Sequence, residues 1–361
     1  MANCHSDSCY LLKVSHSGIK SQAVMSSQHD ADCRCRPGPV DGCGLNRLAL
    51  VNCDLTDLRR LNIVKQAESY EANELFDIKN SYYIGNYQQC INDAQKEPPN
   101  YGNLRLQRDI FMYRAYLAQK KYSIVLAEIK PNSSPELKPF KLLAEYLQTP
   151  SNRNSILKTL EEELENMYEI NHSLVIVATT IYNHEHNYES ALRVLKNDDT
   201  LEGLTLSLII YLRMNRVDLA SKELKKLKEK DEDATLTQMA QAWLNLALGG
   251  DKLQEAYYIF QELTDKYGVT ALLLNCQSVC YIGQCEYKKA EITLQDALEK
   301  DINDIDSLVN SLFISVHTKV SADVAKRQLN MLQDTYPNAE IVVRYNNKEI
   351  EFDSLCLAFQ Q

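Results

Sequence analysis

Glycine and proline are scarce, at 11 and 9 of 361 residues, against average usage of roughly 7% and 5%. So few chain breakers disfavour a loop-rich β architecture, and the composition leans helical. Basic charge is also short: 39 Lys and Arg face 49 Asp and Glu, a net charge of −10. A sequence-independent hold on nucleic acid or anionic lipid needs clustered cations, so nucleic acid is not an expected partner. No apolar run approaches the roughly 18 to 20 residues of a membrane span. The first residues lack the basic start and apolar core of a secretory signal, which sets the expectation of a cytosolic protein. In that compartment the eleven Cys are expected to be reduced, and those in helices read as small core residues. Phosphate loops (G-x-x-x-x-G-K-[ST]), nucleophile elbows (G-x-S-x-G) and zinc helices (H-E-x-x-H) are missing, so catalysis, cofactors and metals are not expected.

What is present divides the chain. Residues 1–65 hold Cys4, Cys9, Cys33, Cys35, Cys43 and Cys53 with poor periodicity. "DCRCRPGPVDGCG" suits a loop. Cys33, Cys35 and Cys43 near His29 can be drawn as a zinc site, but the spacing is not a paired C-x-x-C arrangement. The expectation is a disordered extension lying outside the working fold.

From about Glu68 onward, helix signals recur with a period near 34, the length of a helical-hairpin repeat. Ala256, Phe260 and Leu263 match Ala290, Leu294 and Ala297 at an offset of 34. Small residues standing three positions after bulky ones give further anchors at Cys90, Val125, Ala191 and Ala220, and a further step of the period leads to Ala325. A weaker unit around Ile156 fills the one gap. Two antiparallel helices approach closely only where one side chain is small, and the flanking holes take large residues. One hairpin cannot bury its apolar face alone, whereas stacked hairpins share a continuous core and wind into a superhelix. The expected fold is therefore all-α, an α-α superhelix over residues 66–361.

Within "DEDATLTQMAQAWLNLALGGDKLQEAYYIFQEL", residues 231–263, two helices flank a turn in which Gly249 or Gly250 supplies a positive-φ helix stop. Trp243 has helical spacing to Ala240, Leu246 and Ala247 and reads as packing. The pattern resembles the tetratricopeptide repeat loosely. Its mid-helix small residue is replaced by Ile78, Tyr113, Thr179, Leu208, Leu244 and Ser278, and Cys285 stands where the turn Gly is expected.

Three strings narrow the resemblance: "ELFDIKNSYYIGNYQQCINDAQ" from Glu74, "RDIFMYRAYLAQKKYSIVLAEIKPNSSPEL" from Arg108, and the residue 231–263 stretch above. In order and spacing they resemble the coatomer epsilon subunit family, from about Leu75 to the carboxyl terminus. That resemblance implies a non-enzymatic component of the COPI vesicle coat. It implies a partner, the carboxyl-terminal region of the coatomer alpha subunit, in a subcomplex with the beta-prime subunit. It places the protein in the cytoplasm and on Golgi membranes and vesicles, attached only indirectly through the coat, in retrograde and intra-Golgi transport.

In a superhelix of hairpins the first helix of each unit lines the concave side. The expected partner-binding residues are accordingly Leu75, Lys79, Tyr82 and Tyr83 from the first unit, with Ile110, Arg114 and Leu117 from the second. Tyr and Arg are common interface anchors. Elsewhere, "NHEHN" puts His184 and His186 on different faces and reads as a turn, and "LEEELENMYE" from Leu160 reads as a solvated face. The rival reading is a tetratricopeptide adaptor or co-chaperone that clamps a partner's peptide. It needs Lys, Arg and Asn converging on the groove, and the units holding Gln241, Asn245 and Asn275 offer no Lys there.

Overall fold

The computed structural model describes residues 75–96, 102–166, 171–318 and 322–359. The expected loop with Cys33, Cys35, Cys43 and His29 lies outside them. The described residues form seventeen α-helices and no strand. In chain order these are α1 (Phe76–Tyr83), α2 (Tyr87–Gln95), α3 (Gly102–Ala118), α4 (Tyr122–Glu128), α5 (Lys138–Gln148), α6 (Arg153–Glu165), α7 (His172–His184), α8 (Tyr188–Leu195) and α9 (Leu201–Arg213). They continue as α10 (Val217–Lys230), α11 (Thr235–Leu248), α12 (Lys252–Tyr267), α13 (Ala271–Gly283), α14 (Tyr287–Lys300), α15 (Ile305–His317), α16 (Ala322–Thr335) and α17 (Glu340–Phe359). The odd-numbered helix opens each hairpin, eight hairpins follow one another, and α17 stands alone at the end. The weak unit around Ile156 is the α5–α6 hairpin, with Ile156 and Leu160 buried on α6.

The small residues sit at the closest approaches. Cys90, Val125, Ala191, Ala220, Ala256 and Ala290 on the second helices are fully buried, whereas Ala325 is only half-buried. Phe260 and Leu263 fill the holes beside Ala256; each such side chain contributes roughly 1.5–3 kcal/mol of burial. Trp243 packs in the same core. The acidic stretch on α6 behaves as its period suggests, with Glu161, Glu162 and Glu163 exposed around buried Leu160.

Five of the hairpin turns share one construction. Gly85, Lys120, His186, Asn215 and Cys285 each take a positive φ, between 56° and 85°. At each, the next residue's N–H reaches the carbonyl five positions back: Asn86 to Ser81, Lys121 to Tyr116, Asn187 to Tyr182, Arg216 to Tyr211 and Glu286 to Tyr281. This paired closure satisfies carbonyls that a helix end leaves open. A non-glycine residue held there costs roughly 1–2 kcal/mol, so Cys285 occupies a glycine position at an expense. Asn86 and Asn187 then cap the following helix, their side chains accepting from Gln89 N and Ser190 N.

The superhelix is tight enough for successive turns to touch. Thr235 Oγ1, at the start of α11, donates to Asn80 Oδ1 on α1 at 2.7 Å. Thr270, the N-cap of α13, donates to the Ile84 carbonyl at 2.7 Å. A Cβ on Gly85 would lie 3.0 Å from Leu272 Cβ, so glycine there permits both the turn and this contact. Near the other end, Lys120 Nζ lies 5.0 Å from the centre of the Tyr336 ring. These partners stand five or six hairpins apart, about one superhelical turn.

Candidate partner-binding groove

A groove of about 550 Å³ opens where the first helices of several hairpins converge. One wall comes from α1 and α3 through Phe76, Lys79, Tyr83, Ile110, Phe111 and Arg114. The facing wall is built from the starts of α7, α9 and α11, including His172, Glu202 and Thr235. Sequence separation is bridged by the superhelix, which brings residues more than eighty positions apart into contact.

At its base is a buried charge cluster. Arg114 Nη1 donates to Glu202 Oε1 at 3.0 Å and Oε2 at 3.2 Å. Tyr83 Oη donates to the same carboxylate. His172 completes the set, with Nδ1 3.1 Å from Asp198 Oδ2 and Nε2 3.6 Å from Glu202 Oε2. The Arg114 guanidinium carbon lies 4.6 Å from the Tyr82 ring centre and 4.9 Å from that of Phe111, so its faces are covered by aromatic surface.

The electrostatics follow from this packing. Burial acts to raise the Glu202 pKa, but Arg114, with the His172 and Tyr83 hydrogen bonds, outweighs it and holds the carboxyl well below the ordinary range. Hydrogen bonds to Asp198 and Glu202 raise His172 to about 9 despite burial. Burial, reinforced by Glu202, pushes the Tyr83 hydroxyl upward. Lys79 differs: burial lowers its pKa against the weaker opposing pull of Glu202.

The expected partner-binding residues divide here. Lys79, Tyr83, Ile110 and Arg114 line the groove, although Tyr83 and Arg114 are mostly buried and hydrogen-bonded. Leu75, Tyr82 and Leu117 correct the expectation of exposed positions: all three are buried in the core. Tyr82 packs on Tyr87 of α2 and on Phe111 and Arg114 of α3, and α1 is further covered where the superhelix brings the starts of α11 and α13 against Asn80 and Ile84. Gln241, Asn245 and Asn275 are no clamp either; Gln241 donates to Asn245 Oδ1 at 2.9 Å, and Asn310 Nδ2 donates to Asn275 Oδ1 at 2.9 Å. Cations do gather in the groove, but from α1, α3 and α7 instead of one late unit.

Sequence reasoning missed Glu202, Asp198 and His172. A signal existed in Gly203, a glycine inside a helical pattern. A Cβ there would meet Asp198 Cγ at 2.6 Å, so glycine makes room for the carboxylate that holds His172.

An α-solenoid with a mixed apolar and charged concave groove defines a repeat scaffold of tetratricopeptide type. Its fold is similar to a tetratricopeptide repeat protein from Parabacteroides merdae, with TM-score 0.50 and 13% identity over 72% of this chain and 96% of the other. It is also similar to a chain of the APC/C hetero-tetramer Cut9-Hcn1, with TM-score 0.53 and 13% identity over 80% of this chain and 58% of that one. At such identity these neighbours speak for the fold alone.

The family is more specific. The sequence profile described as coatomer epsilon subunit matches residues 71–360. Coatomer subunit epsilon-1 of Arabidopsis thaliana is 37% identical over 80% of this chain and 97% of its own length. The Dictyostelium discoideum coatomer subunit epsilon is 35% identical over 77% and 96%, and that of Caenorhabditis elegans 34% over 78% and 97%. The chain belongs to the coatomer epsilon subunit family, and is a structural component of the COPI coat with no enzymatic role.

Proposed function

We propose that this subunit stabilises the coatomer alpha subunit by receiving its carboxyl-terminal region in the groove between α1, α3, α7, α9 and α11, within a subcomplex that also holds the beta-prime subunit. The observation that carries this is the groove itself, concave, about 550 Å³ and walled by both aromatic and charged groups. Such a surface suits a segment that buries backbone as well as side chains. The scaffold corresponds to residues 66–361, with residues 1–65 outside it. The setting is retrograde Golgi-to-endoplasmic-reticulum and intra-Golgi transport, on the cytosolic face of Golgi membranes and vesicles. Attachment through the rest of the coat accords with the described helices, none of which is long and apolar enough to cross a membrane.

Co-expression of the full chain with the carboxyl-terminal region of a coatomer alpha subunit, followed by gel filtration with mass determination, tests the proposal. A 1:1 complex melting above the free chain is the expected result, because a ligand that binds only the folded state stabilises it. Separate elution of two folded proteins would overturn it. The convergence of Lys79, Asn80 and Arg114 keeps a peptide-clamping adaptor as a second reading, favoured if the chain instead captures short acidic peptides from many proteins.

A further inference from the structure

We infer that the wall formed by Lys79, Asn80 and Arg114 is a subsite for a carboxylate, supplied by an Asp or Glu of the bound segment that has an aliphatic or aromatic neighbour. This deepens the partner reading above and rests on it. Three lines of observation meet at this wall.

The first is an unpaired cation. The groove base holds three cations, Lys79, Arg114 and His172, against two carboxylates, Glu202 and Asp198. Glu202 is already engaged by Tyr83, Arg114 and His172. Lys79 has no ion pair among the described residues, and its ammonium lies 5.8 Å from the Phe111 ring centre. Burial depresses its pKa, and Glu202 opposes this only weakly, as expected of a cation drawn from water without a paired counter-charge. Two further acids, Glu136 and Asp231, line the groove where it meets solvent. Asp231 is occupied, its Oδ1 accepting from the Asp233 and Ala234 N–H groups at 3.1 Å.

The second is unspent donors. Asn80 and Arg114 are 7% and 4% exposed, and Asn80 Nδ2 and Arg114 Nη2 have no hydrogen-bond partner among the described residues. Buried donors are normally satisfied, so this pair marks where an acceptor is wanted. A carboxylate accepts several donors at once.

The third is the field. The amino-terminal ends of α7, α9 and α11 all line this groove, and the positive ends of three helix dipoles favour an incoming anion. Beside the polar wall, Phe76 is half-exposed and lies with Ile110 and Phe111 along the groove. That apolar strip sets the requirement for a non-polar neighbour next to the acid.

Binding of the alpha-subunit carboxyl-terminal region to the full chain, measured across salt concentrations, tests the subsite. Lys79→Met removes the charge without removing a resident ion pair and is expected to fold normally. It should weaken binding about tenfold and flatten the salt dependence, in keeping with a charge-assisted contact. Lys79→Glu should weaken it further, and one Asp→Lys or Glu→Lys change in the alpha region should restore it. Wild-type affinity and salt dependence in Lys79→Met would overturn the inference.

If the wild-type chain itself does not bind the alpha region, the partner reading falls and a second measurement decides the subsite. The lysines are ¹³C-methylated, the Lys79 signal is assigned by its loss in Lys79→Met, and the full chain is titrated with acetyl-Leu-Glu-Leu-amide. A shift at Lys79 with this peptide, and none with its Gln counterpart, sustains the subsite without that partner. No shift with either ends it.

Discussion

The two ends of this solenoid are built from the same hairpin and bury it unequally. From Leu75 to Cys280 one continuous core links thirteen helices. Beyond it the buried residues break into two small groups, Ala290 with Leu294 and Ile314, and Val309 with Leu332 and Val342. On α17, Ile350, Phe352, Leu355, Leu357 and Phe359 are all exposed. In a solenoid each unit is stabilised by its neighbours, and the first hairpins gain a second set from the next superhelical turn, through Thr235 and Thr270. The last helices have a sequential neighbour on one side only, and what they meet across the superhelix is exposed and polar, Lys120 on the Tyr336 ring and His186 near Glu340. Ile350 and Leu357 form one apolar stripe of α17, while Phe352 and Phe359 form another about 200° away, so both cannot lie on the same supporting surface. The difference teaches that the repeat period sets where helices go, and winding sets how deeply they are buried.

The sharpest way to break this comparison is to remove matching charges from its two sides. Arg114→Met leaves the buried Glu202 with only the part-exposed His172 as counter-charge, and breaking such a buried pair costs about 3–5 kcal/mol. A fall of that size is expected in denaturant unfolding, with partial recovery in the Arg114→Met/Glu202→Leu double variant. Lys348→Met on α17 breaks an exposed pair with Glu351, 2.7 Å apart, and no measurable change is expected. A similar loss in both would show that burial does not separate the two regions.

Overpacking gives the next largest contrast. Ala220 is fully buried between helices, and a Leu there should cost about 1–3 kcal/mol. The corresponding Ala325 is half-buried, and Ala325→Leu should stay within about 0.5 kcal/mol. Equal shifts in melting temperature would mean that the last hairpin is packed as tightly as the middle ones.

Much of this architecture is legible because it is local. The offset of 34 between Ala256 and Ala290, the small residue at each crossing and the glycine-like positions at Gly85 and Cys285 all depend on neighbours within one hairpin. The groove is not local. Tyr83 and Glu202 are 119 residues apart, Arg114 and Glu202 are 88 apart, and only the pitch of the superhelix joins them. Tyr82 is buried for a nearer reason: its ring packs on Tyr87, Phe111 and Arg114 of the next two helices, contacts that the period of α1 alone does not reveal. Gly203 was the readable trace, since a helical glycine with no turn to make signals a close neighbour.

A smaller effect tests the charged base of the groove by pH. The folded His172 pKa, about 9, lies above its ordinary value near 6.5, so its contribution is fully present below about pH 6.5 and is lost as pH rises through 9. Asp198 and Glu202 are shifted downward, so theirs is fully present above about pH 4.5 and is lost at lower pH. The cluster is therefore most stabilising between those limits. His172 has a side chain 41% exposed, and screening reduces its share to about 1 kcal/mol. The stability gap between wild type and His172→Gln should shrink by that amount from pH 6 to pH 9.5. An unchanged gap would show that His172 acts by packing alone.

The smallest effect asks whether the two regions differ in their turns as well. Cys285 lies beyond the continuous core at φ 63°, and Asn215 lies within the core region at φ 58°. Relief of the left-handed strain, roughly 1–2 kcal/mol for an ordinary residue, is offset by about 0.5–1 kcal/mol of extra chain entropy for glycine. Cys285→Gly should therefore stabilise by about 0.5 kcal/mol, read from the urea midpoint at unchanged slope. Asn tolerates this conformation better than most residues, so Asn215→Gly should gain only a few tenths. That ordering follows residue type and ignores position along the solenoid. The reverse ordering would place the regional difference in the turns themselves, whereas the expected one confines it to what each hairpin is packed against.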